Sequence, residues 1–204
     1  MSRSDTAQST GPLRPDGRTL GVAAVGGVLA HLVGYALTYA VVGQEVSNSL
    51  ASRVLEIATG DPGTWQLVGW VFYNAHMVET VFRDIPLVGS RATSYIGGEA
   101  GFTALLYAVP VALLFAVGLG VTRYRAVDGP SAGAVVGSTV VPGYLLAAVT
   151  CVFLFEVTVA GATGGPDLLP AVVLAGIVYP LVCAGGGGAV GGLLEARSRS
   201  QPAN

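Results

Sequence analysis

The sequence predicts an all-α integral membrane protein, a four-span helix bundle with an external amphipathic helical insert between the first and second spans. Three observations carry that reading. Hydrophobic residues make up 52% of the 204 positions and charged ones only 11%, too apolar for an ordinary water-soluble domain. The apolar residues gather into runs of about 20, the length that crosses a hydrocarbon core of about 30 Å at 1.5 Å per residue. Finally, every basic residue is Arg and none is Lys, and these arginines sort the loops onto two sides.

In chain order, residues 1–19 are polar, carry Arg3, Arg14 and Arg18 and lack apolar periodicity, which predicts a disordered cytoplasmic tail. Residues 20–42 are the first span, too long an apolar run for a signal-peptide core. Within it Gly27, His31, Gly34 and Thr38 recur at helical spacing, a stripe of small residues on which another helix can pack. His31 falls near mid-span, where an ionisable group turns towards protein or water because facing lipid is costly.

Residues 43–99 form the insert. Val46, Leu50, Val54 and Ile57 line one face of a first amphipathic segment, and Gly60-Asp61-Pro62-Gly63 breaks it. A second helix follows over residues 64–82, where Gln66, Tyr73, His76 and Glu79 gather on one broad side. Arg83-Asp84-Ile85-Pro86 ends it, and a Gly- and Ser-rich loop leads to the second span, residues 100–121. The third span covers residues 132–155, the fourth 168–194, and residues 195–204 are a second cytoplasmic tail.

The helix over residues 64–82 decides the topology, because at the low edge of spanning length it would make a fifth span if it crossed. With four spans, Arg3, Arg14, Arg18, Arg123, Arg125, Arg197 and Arg199 face Arg53, Arg83 and Arg91 across the membrane; five spans divide the arginines evenly. Cytoplasmic loops carry the excess of basic residues, so four spans win, with both termini cytoplasmic and the insert outside, lying back on the outer surface of a plasma-membrane bundle or partly re-entering it.

Four polar groups, His31, His76, Glu79 and Glu156, are candidates for a path under the insert. His76 and Glu79, at i and i+3, face one way on a helix, yet two ligands are too few for zinc. No catalytic, cofactor or metal site is expected, and no enzyme. Gly133 and Gly137, with Gly187, Gly188, Gly191 and Gly192 in the last span, are expected to mark close helix packing. Cys151 and Cys183 read as small buried side chains, not a disulfide. A net charge of −2 offers no basic face to nucleic acid.

The segments GWVFYNAHMVETVFRDIPLVGS (residues 69–90), GGEAGFTALLYAVP (97–110), VVPGYLL (140–146), FLFEVTVAG (153–161) and GPDLLPAVVLAGIVYP (165–180) resemble a family of small multi-pass membrane proteins of haloarchaea. That family has no established function, and some members are labelled transporters. The resemblance implies no site residues. Two readings of function follow. One is a small oligomeric transporter or channel-like protein for an ion or small solute. The alternative is a non-transporting accessory or structural subunit of a cell-envelope membrane complex. The lipid bilayer is a partner in both, with a second copy or another membrane protein beside it.

Overall fold

The computed structural model describes residues 17–86, 89–97 and 101–200, so most of the expected N-terminal tail and residues 201–204 lie outside it. Among the described residues four helical segments are long and apolar enough to cross a membrane: Leu20–Ser47, Ala104–Tyr124, Pro130–Leu154 and Leu168–Ser200. The elements run α1 (Gly17–Ser47), α2 (Leu50–Thr59), α3 (Thr64–Asn74), β1 (Thr80–Ile85), β2 (Gly89–Thr93), a 3-10 turn (Ala104–Tyr107) and α4 (Ala108–Tyr124). Then come α5 (Pro130–Ser138) and α6 (Val141–Leu154), which together make the third apolar segment, β3 (Val157–Val159), β4 (Ala162–Pro166) and α7 (Leu168–Ser200).

The long helices alternate in direction. Gly26 of α1 lies beside Val117 of α4 and Gly34 near Leu113, which sets those two antiparallel. The Gly129 N–H donates to the Gly192 carbonyl at 3.1 Å, bringing the α4–α5 turn beside the end of α7. Arg199 ties this terminal end together, pairing with Asp128 and donating to the Ala126 carbonyl at 2.8 Å. The last helix continues to Ser200, through residues expected to be tail.

Glycine sets how closely these helices approach. A Cβ on Gly133 would run into the Gly188 carbonyl, one on Gly188 into the Gly133 carbonyl, and one on Gly137 into that of Ala184. Gly187 packs likewise on the Phe115 carbonyl of α4, Gly192 on that of Gly129, and Gly191 against Thr122. With no side chain in the way, backbones meet directly, the arrangement that holds helices together where lipid supplies no hydrophobic drive. Cys151 and Cys183 are both unbridged.

Proline explains where the helices change character. Pro130 and Pro142 sit in the first turns of α5 and α6, where no intrahelical donor is needed. Pro180 falls inside α7, and there the helix widens: Ala171–Val178 and Pro180–Ala184 wind as π-helix, with the Tyr179 N–H donating to the Leu174 carbonyl five residues back. The wider register relieves the clash of a proline ring with the preceding turn.

The end of the bundle opposite the termini departs from an all-helical reading. A four-stranded antiparallel sheet, in the order β2-β1-β4-β3, joins the insert to the connection between the third and fourth spans. Its central pairing sets Thr80 against Pro166 and Phe82 against Gly164. A Cβ on Gly164 would come within 3.0 Å of the Phe82 and Trp70 rings, so glycine makes room for aromatics there. Ala160 and Gly161, both at positive φ, form the two-residue turn of the β3–β4 hairpin, and Asp84, at φ 58°, marks a bulge in β1. The helix expected over residues 64–82 therefore stops at Asn74, and the loops expected over 87–99 and 157–167 hold strands.

The insert also differs in depth from the outer-surface expectation. Instead of lying over the outer surface, α3 is sunk into the bundle, with Leu67 to Asn74 all buried. At about 1.5 Å per residue its 11 residues are too short to cross. From Leu67 to Tyr73 its sequence is apolar all round, the mark of a helix surrounded by protein. Around it collects one core, with Trp70, Phe72, Tyr73, Val42, Leu106 and Phe155; a second, of Ala23, Ala30, Leu114, Val136, Val140 and Ala184, fills the terminal half. On α2 the stripe Leu50, Val54 and Ile57 is turned outward, 77%, 51% and 87% exposed, while Ser52 and Leu55 face the protein.

Candidate functional site

The buried polar centre of the molecule is built where α1, α3, α6 and α7 converge. On α1, the small-residue stripe brings both neighbours close to His31: Gly27 abuts the Val140–Tyr144 backbone, and a Cβ on Gly34 would come 2.9 Å from Phe72. Further along, Thr38 satisfies its hydroxyl by donating to the Gly34 carbonyl at 2.9 Å. His31 is wholly buried, its ring edge-on to Phe72 and Tyr144, each at 5.0 Å, and to Tyr73 at 6.1 Å. Among the described residues neither ring nitrogen has a hydrogen-bond partner.

His76 comes to the same place from the turn after α3. That turn is held by Asn74, whose Nδ2 donates to the Val78 carbonyl at 2.7 Å and whose Oδ1 accepts the Tyr95 N–H at 2.8 Å. Met77 occupies the left-handed region, at φ 59°, so that the chain reverses within two residues of His76. The His76 ring sits 2.9 Å from the Phe72 carbonyl through Nδ1 and 2.6 Å from the Tyr144 hydroxyl through Nε2. A carbonyl only accepts, so Nδ1–H donates to Phe72, and in the neutral ring Nε2 then accepts the Tyr144 O–H. Burial pushes His76 down to about 4, the bond to the Phe72 carbonyl opposing it, and keeps this neutral tautomer at ordinary pH. Tyr179, placed by the π-helical part of α7, packs on the His76 ring at 5.1 Å, and the Tyr73 hydroxyl donates to the Ala148 carbonyl.

The four expected path residues therefore separate. His31 and His76 share one buried aromatic chamber; Glu79 and Glu156 are exposed at the sheet end. Glu79 lies just before β1, where its carbonyl accepts the Asp167 N–H at 3.0 Å. Glu156 follows the end of α6 and runs beside Gly165 of β4. Among the described residues no group of three His, Cys, Asp or Glu is placed to hold a metal ion.

Sequence reasoning missed Tyr144, which completes the His76 network, and the aromatics Phe72, Tyr73 and Tyr179 that enclose it. The signal for Tyr144 was a phenol in the middle of an apolar segment, too far from its own backbone to satisfy its hydroxyl locally as Ser138, Thr139 and Thr150 do, so that it needs a partner on another element. Arranged this way, the chamber can hold two neutral imidazoles and pass a hydrogen bond from Tyr144 to Phe72.

Residues 1–195 match a family of unknown function (DUF7978), and the chain belongs to it. No curated protein and no solved structure matches the chain.

Proposed function

We propose that this member of a family without an assigned activity is an integral membrane protein with a closed helical interior, working as a non-transporting accessory or structural subunit of a membrane complex. Support for the bilayer is the outward face of the bundle: in the four apolar segments only 28 to 44% of the most hydrophobic stretch is buried inside the protein. Leu29 and Val41 of α1, Phe153 of α6 and Leu169 and Val182 of α7 all point outward, an apolar area suited to lipid and not to water. The exposed stripe of α2 would rest on the same lipid at the sheet end. The excess of arginine at the terminal end supports a cytoplasmic side for it, in a plasma-membrane protein.

The observation that carries the non-transporting reading is the burial of α3. Its aromatics occupy the space between α1, α6 and α7 in which a polar path would have to run, and Glu79 and Glu156 stand outside it. The second reading, a small oligomeric transporter or channel-like protein for an ion or small solute, is favoured by His31, a fully buried imidazole with two unpartnered nitrogens. Proteoliposome flux separates the two. Purified protein is expected to add no proton, cation or anion leak over empty vesicles at high salt, and affinity capture from native membranes is expected to recover a stoichiometric partner. Protein-dependent flux that His31→Ala abolishes would overturn the non-transporting reading and establish the other.

A further inference from the structure

A cavity of about 530 Å³ opens at the sheet end, between the end of α1, the start of α2, α3 and the loop after β2. Leu67, Trp70 and Val71 of α3 line its inner side, Tyr95 and Phe102 its wall, and Glu45 its edge. This volume is in the range of small-molecule sites. It is separate from the chamber around His31 and His76, shares no residue with it, and is independent of the reading proposed above.

Backbone bonds fix the aromatic wall. The Tyr95 N–H is held by Asn74, the Phe102 N–H donates to the Tyr95 carbonyl at 2.8 Å, and the Gly97 N–H returns to the Phe102 carbonyl at 2.9 Å. Tyr95 and Trp70 lie nearly parallel, 19° apart with ring centres at 6.5 Å, and Trp70 is anchored by its indole N–H to the Phe155 carbonyl at 2.7 Å. The wall is therefore set before anything binds, which lowers the ordering cost of binding.

The edge is negative. Among the described residues Glu45 has no ion-pair partner and no Arg or Lys lines the cavity. The polar neighbours are partly engaged: Asn48 Nδ2 donates to the Gln44 carbonyl at 2.9 Å, and Ser49 Oγ accepts the Ser52 N–H at 3.2 Å. Glu45 also sits in the last turn of α1, where the helix dipole adds negative potential. An anion is repelled here. A metal ion would exchange its hydration shell for one carboxylate, the side-chain oxygens of Asn48 and Ser49 at most, and ring faces, fewer oxygens than the roughly six or more it takes. A bulky, weakly hydrated ammonium or guanidinium finds both an aromatic face and a countercharge.

We infer that this cavity binds a small organic cation with an apolar body, Glu45 meeting the charge and Tyr95, Phe102 and Trp70 enclosing the body. The test is calorimetry on the full chain in nanodiscs of zwitterionic lipid, with empty nanodiscs as blank. The probes share one aromatic body: benzyltrimethylammonium, neutral benzyl alcohol and anionic phenylmethanesulfonate. The ammonium is expected to bind saturably at one site, about tenfold or more tighter than the alcohol, with the sulfonate not binding. Glu45→Gln, an exposed substitution, is expected to weaken the ammonium about tenfold and leave the alcohol unchanged, and Tyr95→Leu to weaken both. Raising salt from about 0.05 to about 0.5 M is expected to weaken only the ammonium. Ammonium binding no tighter than alcohol binding, or indifferent to Glu45→Gln and to salt, or absent altogether, would overturn the assignment.

Discussion

The two halves of the bundle are held together by opposite means. In the terminal half, α5 and α7 meet backbone to backbone at Gly133, Gly137, Gly188 and Gly192, and the core there is mostly Ala, Val and Leu. In the sheet half the helices stand apart and the gap is filled by Trp70, Phe72, Tyr73 and Phe155. Glycine brings helices together; where it runs out, the space has to be occupied, and α3 occupies it. The polar chamber of His31 and His76 lies where the two regimes meet.

The sharpest way to break this contrast is to put bulk into the glycine seam. Gly188→Leu drives a side chain into the Gly133 carbonyl and the Gly137 backbone, neither of which can move aside, and is expected to cost about 4 kcal/mol or to abolish monodisperse protein. Gly186→Leu, two residues away, meets nothing within 4 Å and serves as the control, with an unfolding temperature in detergent close to wild type. Equal damage from both would mean that the seam is not what sets helix spacing.

In the sheet half, removing bulk should do the harm. Phe72→Ala empties a fully buried ring site beside Gly34 and is expected to lower stability by about 3 kcal/mol, read from the same thermal transition. The smallest effect is expected in the chamber between. Tyr144→Phe strips the donor from His76 Nε2, leaving a buried acceptor unpaired, at about 1 to 2 kcal/mol. The chamber also predicts an acid response with a definite sign. Because the folded state holds His76 down at about 4, against about 6.5 unfolded, its contribution is full above about pH 6.5 and is lost as pH falls from there towards 4. His76→Leu should reduce the slope of that part of the curve of unfolding temperature against pH, with His31 left in the chamber.

Four apolar runs and the glycine contacts of α5 and α7 were legible in the sequence, because span length and small-residue spacing are local signals. The sheet was not. Phe82 of β1 pairs with Gly164 of β4, and nothing near either residue announces the other; Gly164 and Gly165 read as loop because the glycines that let aromatics pack on a strand look the same as those that bend a turn. The position of α3 was misread for a different reason. In a membrane protein, apolar residues facing protein and apolar residues facing lipid have the same pattern, so Trp65 to Phe72 suited an interface equally well. The discriminating residues were Gly69, which admits the Phe155 ring, and Gly34, which admits Phe72, and each makes sense only once its partner is known. For the candidate site, His31 and His76 were singled out from sequence, while Tyr144 and the rings around them came from packing alone. The apolar stripe expected along Val46, Leu50, Val54 and Ile57 is divided by the break after Ser47: Val46 ends up buried on α1, while Leu50, Val54 and Ile57 of α2 turn away from the protein.

The pairing of β1 with β4 fixes an order of assembly. A ribosome makes α3 and β1 long before the helices and the hairpin that cover them, so during synthesis Trp70, Phe72 and Tyr73 emerge with no finished place to go. Contacts so distant along the chain are slow to form, and apolar segments that wait are prone to stick to one another. Shortening the chain ahead of β4 should therefore leave α3 uncovered and open to chaperones and proteases, and strip α5 of the α7 backbone it packs on as well.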